Sequence, residues 1–546
     1  MTEHLFFDCN AAIGPLPRKH REARWSRDHL LDDLDLAGIA GALVHQRLAL
    51  NYDPMVGNRK LLEEIEDDRE RLYPCWVALP NFSGEFPPVS EFMKELEDHD
   101  VRAVRIEPQV FGAPETERVW GELRDALLDQ NLLCVLPTPG YSGKIDGFER
   151  MLEIFRNNKV LMVNHVWSQW RQVIAFMEEF PNLHIDFNLF QANRAMEHFA
   201  ERFGAERCLF GTGLPDRAPG AARGFIDFSL LAEEQTRLIA GENLRRLLGG
   251  AGPAEIPKPG EWSDAITEAE RQGEPIPCLA IDAHCHMGHD GANTVGKTVV
   301  ALKGDAEGMI ELTRRAGIDQ TAVMSWVGPL SMDSEMGNEV VANAVSQFPE
   351  EIIGLATVNP EYDDEEKIQE IIQRYHIELG FPGLKTFTPA QVIDYDDPLF
   401  HTWYQFGNDH DLYLVLDPRG RENADTVVRR LAEKYPRLGI HLDHCGRGWD
   451  YTKWVVSLIK EYDNIWGQLN FTLVTNGVVE YMVEEVGADR VLFGTDAPMR
   501  DPRPQVSWLT FTRISEADKR KIFGENFAAI IEKAKRNLKA TREEQG

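Results

Sequence analysis

The sequence predicts an α/β chain built as two tandem (β/α)8 TIM-type barrels. Three observations predict it: an internal repeat, the alternation of short apolar runs with helical patterns in each half, and a set of chemically capable residues at the C-terminal ends of those runs in the second half.

The repeat comes first because it fixes the domain count. Arg207 to Pro215 (Arg-Cys-Leu-Phe-Gly-Thr-Gly-Leu-Pro) mirrors Arg490 to Pro498 (Arg-Val-Leu-Phe-Gly-Thr-Asp-Ala-Pro) at an offset of 283 residues, and Gly241-Glu242-Asn243 mirrors Gly524-Glu525-Asn526 at the same offset. Gly38-Ile39 matches Gly317-Ile318 at 279, while Arg105 matches Lys385, and Leu132 to Gly140 matches Leu412 to Gly420, at 280. So small a drift means two homologous halves, and 546 residues are too many for one ordinary core. The domains expected are residues 1–249, a linker at 250–277 and residues 278–546. The linker is rich in Gly, Pro, Glu and Lys, with a short polar helical piece near Ala265 to Arg271.

Within the first half, apolar runs fall at Gly41–Val44, Trp76–Leu79, Val101–Ile106, Leu132–Leu136, Val160–Val163, His184–Phe187 and Cys208–Phe210. Seven or eight strands with intervening helices is the count of a (β/α)8 barrel. No glycine-rich phosphate fingerprint follows the first strand of either half, which argues against a doubly wound open sheet.

Composition excludes several classes. The hydrophobic fraction is 43% and the charged fraction 27%, with no apolar run long enough to cross a bilayer. Lys and Arg number 58 against 89 Asp and Glu; the formal charge of −31 should repel nucleic acid and anionic membranes. The seven cysteines (Cys9, Cys75, Cys134, Cys208, Cys278, Cys285 and Cys445) are odd in number and mostly lie in apolar runs, as reduced core thiols do. The N-terminus lacks a basic region before its apolar residues, so a cytoplasmic address is expected.

The second half carries the chemistry. On a strand from Leu279, residues i and i+2 share a face, so His284 and His286 project side by side, where two imidazoles can hold one divalent ion. The other strands of this half end in Lys385, Asp417, His444 and Asp496. Active sites of such barrels lie at these ends.

In order and spacing these pieces resemble the metal-dependent amidohydrolase superfamily. The branch is amidohydrolase-2, which includes aminocarboxymuconate-semialdehyde decarboxylase, aromatic-acid decarboxylases and dicarboxylate lactone hydrolases. The resemblance rests on Ile281 to Gly288 (Ile-Asp-Ala-His-Cys-His-Met-Gly), Gly354 to Glu361, Gly383-Leu384-Lys385-Thr386-Phe387, Asp443-His444-Cys445-Gly446, Leu492 to Pro498 and Ile522 to Ile531. It implies that His284, His286 and Asp496 bind one divalent ion, zinc or alternatively manganese, and that His444 is the catalytic histidine, with Asp496 as proton acceptor. One position departs from the family. Where a strand-5 histidine is usual, Asp417 stands, followed by Pro418 and Arg419; Asp417 is either a fourth ligand or a helix cap or partner of Arg419.

Other positions follow from parity and location. Asp282 should share the inward face of its strand one layer below His284, and Asp8 occupies the equivalent place in the first half. His441 has opposite parity to His444 and should face the helices. Lys385, Arg419 and His289 are candidate binders of an anionic substrate.

The first half is an internal control. Asn10 stands at His284, Ala12 at His286, Pro137 at Asp417 and Gly213 at Asp496, with His165 matching His444. It is expected to be a degenerate barrel without metal ligands. The branch is often dimeric, so the first barrel is expected to serve as a built-in partner in an intrachain pseudo-dimer, with a higher oligomer open.

The leading function is metal-dependent hydrolysis of a small carboxylated amide, lactone or ring compound through an activated water. The second is non-oxidative decarboxylation of a small aromatic or unsaturated acid, and the third is non-catalytic binding or scaffolding.

Overall fold

The computed structural model describes residues 4–16, 20–138, 145–328, 333–359, 361–386, 393–471 and 474–545. Of the motifs above, Pro360, Phe387, the end of the Leu132–Gly140 segment and the first three residues lie outside the described residues.

The first half forms eight parallel strands, hydrogen-bonded in chain order: β1 (Phe6–Ile13), β2 (Ile39–Gln46), β3 (Leu72–Ala78), β4 (Ala103–Ile106), β5 (Leu133–Pro137), β6 (Lys159–Val163), β7 (Leu183–Asp186) and β8 (Cys208–Leu209). The second half repeats the arrangement with β9 (Ile281–Met287), β10 (Gln320–Ser325), β11 (Ile352–Thr357), β12 (Gly383–Lys385), β13 (Tyr413–Leu416), β14 (Gly439–Leu442), β15 (Ile465–Leu469) and β16 (Val491–Phe493). Each sheet closes by backbone bonds between its first strand and the segment after its last. Cys9 N–H donates to Phe210 O at 3.0 Å in one, and Asp496 N–H to His284 O at 2.8 Å in the other. Two tandem (β/α)8 barrels are therefore the architecture. The strands read as continuous apolar runs because each is covered on both faces, by side chains inside and helices outside.

Two compact units result, residues 1–263 with 271–273 and residues 264–270 with 274–546. The helix Ala265–Arg271 lies within the segment expected as a linker. Its Ile266 and Glu270 are buried, and the neighbouring Asp264 pairs with Lys519 at 2.7 Å. Among the described residues, no helix is long and apolar enough to cross a membrane.

The interior of the second barrel is packed by Ile281, Ala283, Met324, Leu355, Tyr413, Val415 and Leu492, against Phe527 and Ile531 of the C-terminal helix Asn526–Gln545. Asn526 anchors that helix at the N-terminal ends of the strands, its Nδ2 donating to Ala488 O and Val491 O. Asn243 of the same Gly-Glu-Asn motif does the equivalent for the first barrel, with bonds to Ala205 O and Cys208 O.

Two parity expectations fail, each for a local backbone reason. A one-residue bulge lies in β9 opposite Thr321–Val323, so Ile281 and Ala283 face the interior as His284 and His286 do. Asp282 therefore does not share the face of His284. Its carboxylate accepts from His284 N–H at 2.9 Å, Thr495 N–H at 3.0 Å and Thr495 Oγ1 at 2.5 Å, tying β9 to the end of β16. Asp8 makes the same tie to Asn10 and Thr212 in the first barrel. His441 lies in the interior, stacked on Tyr413 at 4.8 Å and against Phe527, because the left-handed backbone of His444 (φ 58°) breaks the alternation that parity assumes.

A third correction concerns the repeat. Val160 N–H donates to Asn182 O and Ile440 N–H to Asn464 O, which fixes the β6–β14 offset at 280. Asn164 is thus the counterpart of His444, both left-handed at φ 63° and 58°, and His165 corresponds to Cys445. Matching Val-Asn-His to Leu-Asp-His by identity slips the register by one residue.

Candidate metal centre

His284 and His286, at the end of β9, and Asp496, in the turn after β16, are all buried and bring three donor atoms together. His284 Nε2 lies 3.1 Å from His286 Nε2, which lies 3.0 Å from Asp496 Oδ1; the third edge, His284 Nε2 to Asp496 Oδ1, is 3.8 Å. Donors bonded at about 2.0–2.2 Å to one ion in octahedral or tetrahedral geometry stand roughly 2.8–3.6 Å apart; two of the edges lie in that range and the third is slightly longer, so a small side-chain adjustment brings all three onto a divalent ion.

The electrostatics agree. Burial, and then the charge of Lys385, hold His284 well below the usual histidine range; burial likewise lowers His286, so both rings are neutral and present lone pairs. Burial alone would raise Asp496, but Arg500, His286 and His444 outweigh it and keep the carboxylate ionised. Arg500 Nη2 is 3.5 Å from Asp496 Oδ2.

One residue that spacing arguments missed orients the site. Gln468 on β15 places Oε1 2.8 Å from His284 Nδ1, and its own Nε2 donates to Ala283 O at 2.8 Å. The second bond fixes which end of the amide faces the ring. His284 must then carry its proton on Nδ1 and turn the unprotonated Nε2 to the cluster. His286 has no such support: its Nδ1 is buried without a hydrogen-bond partner among the described residues, and Trp326 stacks on the ring at 4.2 Å.

His444 stands beside this trio, its Nε2 3.8 Å from Asp496 Oδ2 and its N–H donating to Asn470 Oδ1 at 2.7 Å. Opposing influences meet at its Nδ1. Burial disfavours a charged ring, but Asp443, at 3.2 Å, and Asp417, at 3.5 Å, push the pKa up to about 10. Arg419, whose Nη2 lies 2.7 Å from the same nitrogen, opposes that rise with its own charge without cancelling it. The ring is therefore charged, with its Nε2–H on the side of Asp496.

Asp417 joins a second cluster with Asp443 and His444 rather than the His284, His286 and Asp496 group. Arg419 grips it bidentately, Nε to Oδ1 at 2.7 Å and Nη2 to Oδ2 at 2.6 Å. Burial would raise Asp417, but His444 and Arg419 hold it far below the usual carboxylate range. Lys385 is buried, its Nζ 2.9 Å from Asp443 Oδ2. His289 is exposed in the loop after β9 and belongs to neither cluster. At the mouth, the guanidinium groups of Arg500, Arg447 and Arg419 lie 4.3, 4.4 and 5.5 Å from the Phe471 ring centre, and Phe471 packs edge-on against His444.

In the first barrel the same places hold Asn10, Ala12, Asn164 and Gly213, with Asp186 where Gln468 stands. Asn10 Nδ2 donates to Asn164 Oδ1 at 3.0 Å. Burial, with the charge of Asp8 adding to it, raises Asp186 to about 8.

The amidohydrolase family model matches residues 57–250 and 281–530. The chain belongs to the amidohydrolase family. It is similar to the gamma-resorcylate decarboxylase of Polaromonas sp. JS666, 27% identical over a 239-residue alignment, with 34% of this chain and 72% of that enzyme covered. The Rhodococcus jostii RHA1 enzyme of the same name is 24% identical over a 252-residue alignment, with 36% of this chain and 74% of that one covered. Among solved structures, a 2,6-dihydroxybenzoate decarboxylase from Rhizobium aligns with a TM-score of 0.37 at 19% identity, covering 47% of this chain and 98% of that one. A dihydroxybenzoic acid decarboxylase from Polaromonas sp. JS666, solved with bound manganese and 2-nitroresorcinol, aligns with a TM-score of 0.38 at 20% identity, covering 47% and 97%.

Proposed function

We propose that the second barrel of this amidohydrolase is a metal-dependent, non-oxidative decarboxylase of a small aromatic or unsaturated acid, and that the first barrel is non-catalytic. The observation that carries the reading is the buried trio of His284 Nε2, His286 Nε2 and Asp496 Oδ1 with His444 Nε2 beside it. The curated relatives are decarboxylases, which supports this chemistry better than the hydrolysis that the superfamily resemblance put first.

His284, His286 and Asp496 would hold the ion; two imidazoles and a carboxylate suit manganese and zinc alike. A divalent ion held there would neutralise negative charge on the substrate's oxygens. The reaction needs one proton on the ring carbon that bears the carboxylate. The bond between that carbon and the carboxylate then breaks, carbon dioxide leaves, and the electron pair restores the ring. His444 is the proton donor in this reading. Asp443 and Asp417 stabilise its charged form against burial and the charge of Arg419, and Nε2–H is the acid. Arg447, Arg500 and Arg419 around Phe471 supply local positive charge at the mouth of an acidic chain, and the ring offers an aromatic substrate a surface to pack on.

The test is to load the purified chain with manganese or zinc and follow a panel of hydroxybenzoates in deuterium oxide. Carbon dioxide release with one deuterium at the vacated carbon is expected. Water oxygen entering an acid product without carbon dioxide release would overturn decarboxylation in favour of hydrolysis.

A further inference from the structure

The mouth of the first barrel lacks the carboxylates of the second and carries two buried arginines. At the ends of β5, β6 and β8, Pro137, Val163 and Gly213 stand where the second barrel has Asp417, Asp443 and Asp496. Arg105 pairs with Val135 as Lys385 pairs with Val415. Ala12 lies opposite His45 as His286 lies opposite Met324, so Arg47, two residues further on, takes the place of Trp326.

We infer that Arg105 and the interior around it form an anion site in the first barrel, one that takes the carboxylate of a small acid with an apolar body.

Arg105 shares a face of β4 with Ala103, which packs in the barrel interior, and only 5% of it is exposed. Its charge acts on His45 at the end of β2, Cys75 on β3 and Asp186 on β7, so the guanidinium lies among the strand ends. Lys385 is bonded to Asp443, but Val163 offers Arg105 no such partner. Arg105 Nε donates instead to Glu107 Oε1 at 2.5 Å, and its Nη1 and Nη2 make no hydrogen bond among the described residues. Those two nitrogens can grip both oxygens of one carboxylate. The nearby interior carboxylates do not compete for them. Burial keeps Asp186 protonated, pushed up to about 8, and Asp8 is bonded to Asn10 and Thr212. His45 reports the sign of the local field: its Nδ1 lies 3.0 Å from Ala11 O, and burial, then the charges of Arg105 and Arg47, hold the ring well below the usual histidine range. Arg47 itself is bonded to Gly14 O and Asp216, so it contributes charge and no open donor pair.

The apolar half of the ligand has a place beside Glu107. That residue is one wall of a cavity of about 260 Å³ whose other walls include Ile106, Leu136, Phe148 and Met151. An apolar cavity of roughly 150 Å³ already takes a benzene ring, so this one has room for a substituted ring.

The test is calorimetric titration of benzoate into the full-length chain, Arg105→Gln and Val163→Asp, the last returning to the first barrel the carboxylate that engages Lys385 in the second. Both variants should lose one component of benzoate binding, weakened about 10–100-fold as removal of a charge-assisted pair does. Benzamide, of the same shape without the charge, should be weakened at that component to a similar degree in the unmodified chain. Hydrogen exchange localises the component: benzoate should slow exchange in residues 39–47 and 103–107 of the unmodified chain. Coincident benzoate isotherms for the unmodified chain and Arg105→Gln would overturn the inference, as would protection confined to the second barrel. If neither variant folds, the exchange pattern and the benzoate-to-benzamide ratio of the unmodified chain decide it.

Discussion

Gln468 accepts the Nδ1–H of His284 at 2.8 Å while its amide nitrogen is held by the carbonyl of Ala283, the residue just before that histidine. The strand that bears the ligand thereby sets the orientation of the group that selects the ligand's tautomer. Replacing Gln468 with Ala should weaken manganese binding about 10–100-fold with little change in fold, as loss of such supporting bonds does elsewhere. Titration calorimetry of the two proteins checks it, and an unchanged Kd would remove Gln468 from the site.

The double variant His284→Ala/His286→Ala should retain less than about a tenth of an ion per chain, because a lone carboxylate cannot hold a divalent ion against dialysis. His444→Asn, which copies the first barrel's Asn164, should keep its ion and lose on the order of 10²–10⁴ in kcat, the usual worth of an acid–base group. Elemental analysis beside turnover separates the two effects. Loss of metal in His444→Asn would make that histidine a ligand instead.

Asp186 supplies a pH signature for the first barrel. Its folded pKa of about 8 lies far above the usual carboxylate value, through burial and the nearby Asp8. The folded chain therefore binds a proton that the unfolded chain has released, and stability falls as pH rises from about 5 to 8. Relative to Asp186→Asn, which mimics the protonated group, the unmodified chain should lose about 2–4 kcal/mol between pH 5 and 9. Denaturant unfolding at both pH values measures it; parallel pH profiles would refute a protonated Asp186.

Thiol titration gives a check on packing. Six of the seven cysteines are buried, and burial pushes Cys75, Cys208 and the half-buried Cys278 up to about 12. The native chain should react with a thiol reagent at one site at most, Cys278, and the denatured chain at all seven. Fast labelling of two or more would mean that a barrel opens.

Much of this was legible in the sequence for one reason: the repeat let each half annotate the other. Both barrels, their strands and the trio His284, His286 and Asp496 could be located because each residue ends an apolar run. Periodicity failed where strands are irregular. The bulge in β9 moved Asp282 off the face of His284, and the left-handed turn at His444 put His441 inside the barrel and made Asn164, not His165, its counterpart. Gln468, Asp443, Arg500, Trp326 and Phe471 carry no spacing signal toward the two histidines; only closure of the barrel makes them neighbours. Asp417 stayed open between ligand and partner of Arg419, and the ion pair with Arg419 became visible only in three dimensions.

The left-handed backbone at the ends of β14 and β16 also has a consequence for exchanging residues between the two barrels. His444 and Asp496 occupy it at φ 58° and 61°, a region in which Asp, His and Asn are the enriched non-glycine types. The first barrel has Asn164 and Gly213 at these two turns, residue types that accept the conformation readily. The difference is steric as well: a Cβ at Gly213 would come within 2.6 Å of Asn188 Nδ2, so copying Asp496 into the first barrel would require Asn188 to shift.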